Sequence, residues 1–354
     1  MENYRPTRAL INLGAIERNT RRIIEKYDGY KYYTAVVKAD CYGYRGFDVV
    51  RAMIDGGANL LAASLLEEGV ALRREFPELP IMLFNPVDKE NLHIMRDNNL
   101  ICTVATLSQA EDCATVDGLK VMIRANGGSD ILGGPTDRDT FHKIWNTLKS
   151  GACSLEGIYL HSYNAEDEGD TEKEYKTFED ITEGLDIASL PIVSISNSLS
   201  LPRYGKKVYC NACRLGNIIY KIESDDESLE NTFSLVTRVF DTFTLKASQS
   251  LAYGHAYTSK ADNTRIAAIP IGFGDGFSKT NIGRDVFIND KRCPIVAITM
   301  DVSHVLIDDD VKKGDEVLLI KDTHHLDEIS AHIHGATEEA ICALGSRVPR
   351  IYIK

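Results

Sequence analysis

Residues 34–44, TAVVKADCYGY, end a β-branched apolar run on Lys38 and follow it within a few positions by Tyr42 and Gly43. Most lysines are solvated. The run before this one is continuous rather than alternating, which is the pattern of a strand buried on both faces. Lys38 therefore emerges at the carboxyl end of a core strand, an unusual place for an ammonium group. Two other groups could do chemistry and are set aside. Cys210 and Cys213 have CxxC spacing, but a structural zinc usually needs four ligands, and no second CxxC or HxxxH accompanies them. The histidine-rich HHLDEISAHIH (324–334) reads as surface or core packing, so no metal is expected.

An active lysine at a strand end needs a sheet that presents it. From residue 8 to about 220, short β-rich runs (YTAVVK, NLLAAS, PIMLF, LICTVA, LKVMIR, LEGIYLH, PIVSIS) alternate with segments such as GAIERNTRRIIEKY and TFHKIWNTLKS. In those segments apolar residues recur at i, i+3 and i+4. Repeated βα units imply a parallel sheet, and seven or eight of them suit a closed (β/α)₈ barrel as well as an open doubly wound sheet. No G-x-G-x-x-G follows the first strand, which weakens a dinucleotide site. After the acidic turn-rich stretch SDDESLEN (224–231) come FSLVTRVFDTFTL, RIAAIPIGF, CPIVAIT and EVLLI between Gly, Asn and Asp turns, the texture of a mostly β domain. The expected division is a barrel over 1–228 and a β domain over 229–354. In a barrel the active site lies at the carboxyl ends of the strands. Lys38, Tyr42, Arg124, His161, Ser198 and Arg214 all fall at or near such ends.

The 354 residues, 44% hydrophobic and 26% charged, are those of an ordinary globular protein. A net charge of −12 disfavours nucleic acid or an anionic membrane surface as partner and leaves a small molecule. The eight cysteines are scattered and read as reduced, and no apolar leader or membrane-length stretch is evident, so a cytoplasmic location is expected.

The motifs AVVKADCYGY, RLGNIIY, LAYGHAYTSK, IPIGFGDGF and TMDVSHVLID, in this order, resemble the alanine racemase family over nearly the whole chain. The resemblance implies an α/β protein with an N-terminal (β/α)₈ TIM-like barrel and a C-terminal mostly β domain. It also implies pyridoxal 5'-phosphate (PLP) as cofactor and amino-acid racemisation as activity. Lys38 would hold PLP as a Schiff base. Tyr42 and Ser198 would bind its phosphate with backbone N–H groups of Gly216 and Asn217. Arg214 would face the pyridine nitrogen, donating to it without protonating it. His161 would orient this network. Racemisation removes a proton from one face of Cα and returns one to the other, so Tyr253 would be the second acid/base group opposite Lys38. In the family that tyrosine comes from a partner subunit, which implies a homodimer, with Met300 and Asp301 also reaching across.

The sequence departs from the family at the substrate side. Arg124 stands where the family carries a lysine, often carbamylated. The carboxylate-binding arginine aligns with Ile131, which cannot clamp a carboxylate; Arg138 is another cation of that loop. Phe273 and Glu338 replace two gate tyrosines. Alanine is the default substrate. These departures leave open a racemase for a larger or basic amino acid such as ornithine, lysine or serine. They also leave open a PLP-binding protein without catalysis, or a decarboxylase of the same barrel class.

Overall fold

In the computed structural model, which describes residues 4–128 and 133–354, contacts divide the chain into two units. One comprises residues 17–41 and 46–219, the other the chain up to residue 16 together with 42–45 and 220–354. The first strand, β1 (Arg8–Asn12), leads into helix α1 (Leu13–Lys26). Beyond them lie β2 (Tyr32–Val36), α2 (Phe47–Asp55), β3 (Leu60–Ala63), α3 (Leu66–Glu75), β4 (Ile81–Leu83) and α4 (Leu92–Asp97). The alternation continues through β5 (Ile101–Val104), α5 (Leu107–Ala114), β6 (Lys120–Ala125), α6 (Arg138–Ser150), β7 (Ser154–Leu160), α7 (Glu168–Thr182), β8 (Ile192–Ser194), α8 (Ser200–Tyr204), β9 (Ala212–Leu215) and α9 (Asn217–Tyr220).

Strands β2 to β9 close into a parallel barrel. Of the two architectures compatible with the βα alternation, the closed one is present. β3, β4, β5 and β9 are buried at every position, because helices cover one face and barrel-interior side chains the other. Gly157 is required where β7 meets β8: a side chain there would collide with the Ile192 carbonyl. Closure is completed by β9, whose register pairs Tyr32 with Ala212 and Ala35 with Leu215.

The other unit is a nine-stranded sheet in the order β11-β14-β17-β16-β15-β18-β10-β1-β19, plus the small hairpin β12-β13. Its strands are β10 (Phe233–Arg238), β11 (Asp241–Leu245), β12 (Ser250–Leu251), β13 (Tyr257–Thr258), β14 (Thr264–Ile269), β15 (Asp285–Ile288), β16 (Lys291–Ile298), β17 (Ser303–Leu306), β18 (Glu316–Ile320) and β19 (Arg350–Ile353). β1 lies antiparallel to β10 and parallel to β19. Its burial alternates, with Ala9 and Ile11 fully inside, as expected of a strand with one face in the core. No helix among the described residues is long and apolar enough to cross a membrane.

Candidate functional site

The continuous apolar run ending at Lys38 forms β2, buried from Tyr33 onward, and Lys38 itself is half-buried just past the strand. The chain then makes a left-handed turn: Ala39, Asp40, Cys41 and Tyr42 all have φ between 51° and 57°. Each costs an L-residue about 1–2 kcal/mol, so the turn holds about 4–8 kcal/mol of strain. Specific bonds offset it. The Ala39 N–H donates to Glu68 Oε1 at 2.7 Å, Cys41 N–H to the Val37 carbonyl at 3.1 Å, and Gly46 N–H to Asp40 Oδ1 at 3.1 Å. Glu68 also accepts from the Ser64 and Leu65 N–H groups, so one carboxylate on the first turn of α3 ties the lysine turn to the next strand end. Its place near the start of α3 was the only signal of this role in the sequence.

Register builds a polar layer inside the barrel. Arg124 of β6 pairs with Tyr159 of β7, Tyr159 with Ser194 of β8, and Ser194 with Ala212 of β9, two residues before Arg214. Paired positions in a parallel sheet face the same side, so these side chains share the barrel interior. Arg214 is 3% exposed. Its Nη1 donates to the Ser194 carbonyl (3.0 Å) and hydroxyl (2.8 Å), and its Nη2 to the Leu160 carbonyl (2.6 Å). Burial lowers its pKa to about 10, and Arg124 pushes the same way, yet the guanidinium remains charged at neutral pH. Both guanidinium carbons lie over the Tyr159 ring, Arg214 at 5.5 Å and Arg124 at 5.7 Å. The Tyr159 hydroxyl is 3.0 Å from that of Thr103, which donates to the Leu83 carbonyl. Tyr159 was not singled out in the sequence, where it reads as one aromatic of a buried strand.

Ser198 follows β8, and its hydroxyl accepts the Gly216 N–H at 2.8 Å at the end of β9, where Asn217 opens α9. His161 follows β7 and packs edge-on against Tyr163 at 5.3 Å. Two residues missed in the sequence hold these loops. The buried Glu174 of α7 accepts from the Ser162 hydroxyl (2.6 Å) and the Tyr163 N–H (3.3 Å), the two residues that follow His161. It also packs so close to Gly127 that a side chain at 127 would stand 2.7 Å from its Cβ. Asn197 donates to the Ser162 carbonyl at 2.8 Å and so links the loop of Ser198 to that of His161.

The other unit carries the rest. Tyr42 is buried against Tyr220, ring centroids 5.2 Å apart. Burial first, then the Glu338 carboxylate, pushes its hydroxyl pKa up, so it stays a protonated donor. Tyr253 sits on a short turn after β12 and is 90% exposed. Phe273 and Met300 lie side by side, both exposed: Phe273 N–H donates to the Thr299 carbonyl (3.0 Å) and Gly274 N–H to that of Met300 (2.9 Å). Asp301 accepts from Arg347 at 2.7 Å. Ile131 lies outside the described residues. Arg138 is committed elsewhere: it donates to the Asp180 carbonyl at 3.0 Å and pairs with Glu183, at the end of α7. Cys210 and Cys213 are buried, and burial pushes both thiols up to about 12, away from the thiolate. Among the described residues no group of three or more His, Cys, Asp or Glu is placed to hold a metal.

The barrel residues fit PLP. A permanently cationic donor, Arg214, is fixed on neutral acceptors, a hydroxyl and a backbone N–H already meet at Ser198 and Gly216, and an amine stands at the neighbouring strand end. Residues 11–224 match the family profile "Alanine racemase, N-terminal domain" and residues 232–352 "Alanine racemase, C-terminal domain". The alanine racemase of Anoxybacillus flavithermus is 28% identical over 371 residues, covering 99% of this chain and 96% of the relative. The crystal structure of alanine racemase from Bacillus anthracis with bound L-Ala-P superposes with a TM-score of 0.90 at 26% identity, covering 100% of this chain and 96% of that one. The fold is shared as well with alanine racemase from Bartonella henselae, solved with covalently bound pyridoxal phosphate: TM-score 0.88, 24% identity, 98% of this chain and 99% of that one.

Proposed function

This chain belongs to the alanine racemase family, and on that premise we propose that it interconverts L- and D-alanine with Lys38 and Tyr253 as the two proton-transfer groups. As a member it is a PLP-dependent amino-acid racemase. The observation that carries the residue assignment is the half-buried Lys38 on the same barrel rim as the Ser198–Gly216 contact and the buried, carbonyl-bound Arg214. Bound PLP supplies an electron-withdrawing ring that acidifies the substrate Cα–H. The barrel domain (1–228) would hold it: Lys38 covalently, Tyr42, Ser198 and the N–H groups of Gly216 and Asn217 at the phosphate. Arg214 would donate to the ring nitrogen without giving it a proton, and His161 would orient that network. Lys38 then takes or returns the proton on one face of Cα.

Tyr253 belongs to the domain over 229–354, and its exposure on a single chain supports a role at a neighbour's site. A phenol that exchanges protons with Cα works where water is excluded. We infer a homodimer in which Tyr253, Met300 and Asp301 of one subunit complete the site of the other, with Phe273 at its mouth. Glu338 lies near enough to Tyr42, the phenol assigned to the phosphate, to raise its pKa. Alanine is the default substrate because the Anoxybacillus flavithermus and Bacillus anthracis relatives, which match this chain over nearly its whole length, are alanine racemases.

Mixing Lys38→Ala and Tyr253→Phe subunits, each inactive, tests the shared site. Random exchange gives hybrid dimers with one complete site and one doubly defective site, so activity returns to about a quarter of wild type. No recovery after exchange verified by native mass spectrometry rules out sites shared between subunits.

A further inference from the structure

We propose that the β domain binds a small carboxylate in a cavity of about 220 Å³ formed by β15, β16 and the helix α10 (His325–Ile333). None of the described residues assigned to racemisation lines it.

Arg284 and His325 are its buried walls, each 6% exposed. Arg284 Nε donates to Asn281 Oδ1 at 2.6 Å, and its Nη1 to the Asp285 and Leu319 carbonyls at 3.0 and 2.9 Å. These acceptors are neutral, and among the described residues the remaining amino group, Nη2, meets none. Burial lowers the Arg284 pKa to about 10, with the Asp285 carboxylate acting against it, and the guanidinium stays charged at neutral pH. His325 Nδ1 accepts the Lys321 N–H at 3.3 Å, which leaves the ring proton on Nε2. Burial first, then the Arg284 charge, lowers the pKa of this ring to about 4, so at neutral pH that N–H is its one donor. It too meets no acceptor among the described residues. Two buried donors, one of them cationic, thus line the same cavity, and buried donors ordinarily find acceptors.

The acceptors of the cavity are already engaged. Arg292 grips Glu328 through both amino groups, at 2.8 and 2.9 Å, and lies 3.7 Å from Asp285. His332, at the far end of α10, donates to the Ile282 carbonyl at 3.0 Å. A cation entering here meets carboxylates that are already paired. An anion meets two open donors. Asp285 and Glu328 repel a dianion more strongly than a monoanion, and two donors match the two oxygens of a carboxylate. The volume leaves room for a short organic tail beside Ile329.

The probe is acetate, titrated into PLP-loaded enzyme that carries ¹³C at histidine Cε1 and followed by NMR. The His325 signal, identified by its loss in His325→Phe, moves saturably with acetate, and sodium chloride at equal ionic strength leaves it in place. Arg284→Gln weakens the acetate affinity read at that signal by about 10- to 100-fold, the loss of one charge-assisted hydrogen bond. His325→Phe, read at the His332 signal, weakens it by about 2- to 10-fold, the loss of a neutral one, and carries the test should Arg284→Gln fail to fold. PLP stoichiometry stays at wild type in both. No saturable shift in the wild-type enzyme, or an affinity unchanged in the variants, overturns the proposal. Inorganic phosphate that binds the same groups more tightly than acetate overturns the choice of a carboxylate.

Discussion

Tyr253→Phe leaves PLP bound and lowers racemisation in both directions by about 10²–10⁴-fold, the usual contribution of a positioned acid/base group. The substitution deletes one oxygen from a side chain that is 90% exposed on its own chain. Exposed positions of this kind change stability by about 0.5 kcal/mol or less, so the loss reads chemistry rather than folding. Solvent-deuterium incorporation separates the two faces: Cα–H exchange on the Lys38 face persists, and inversion falls. Undiminished inversion with PLP fully bound assigns that face to another group.

Lys38→Ala has the larger effect, because it removes both the covalent anchor and the proton-transfer group of the other face. Racemisation falls by at least about 10⁴-fold. Borohydride reduction of the wild-type enzyme followed by peptide mass spectrometry finds the phosphopyridoxyl mass on the peptide containing Lys38, and the variant carries none. The half-buried position past β2 makes Lys38 dispensable for the barrel core, so circular dichroism of the variant matches wild type. A reduced adduct on a different lysine contradicts the assignment.

What the sequence revealed follows from locality. β2 was legible because its run is apolar on both faces, and Lys38 was legible because that run stops on it. The strand ends at Arg124 and His161 were read for the same reason. β9 is only four residues, Ala-Cys-Arg-Leu, with a charge inside it, and its strand character comes from neighbours on both sides that close the barrel. β1 alternates as a strand should, but its partners are β10 and β19, more than 200 residues away, and no local pattern encodes that pairing. The left-handed turn from Ala39 to Tyr42 contains no glycine, so nothing in ADCY announces it; bonds from Glu68 and Asp40 impose it. Glu174 looked like one of many acidic residues on α7. Only the fold shows it buried beneath the His161 loop. The substrate side was legible as a departure, Ile131 for an arginine, while the position of Arg124 beside Tyr159 required the register of β6 on β7.

The central claim is most directly tested by chiral analysis of alanine incubated with the PLP-loaded enzyme in D₂O. Starting from L-alanine, the account predicts D-alanine carrying deuterium at Cα, accumulating until the enantiomers are equal. D-alanine must reach the same end point, because the two forms have the same free energy. A panel of the other common amino acids runs in parallel. Retention of configuration throughout, with alanine and every other amino acid recovered unchanged or alanine converted to pyruvate without inversion, contradicts it.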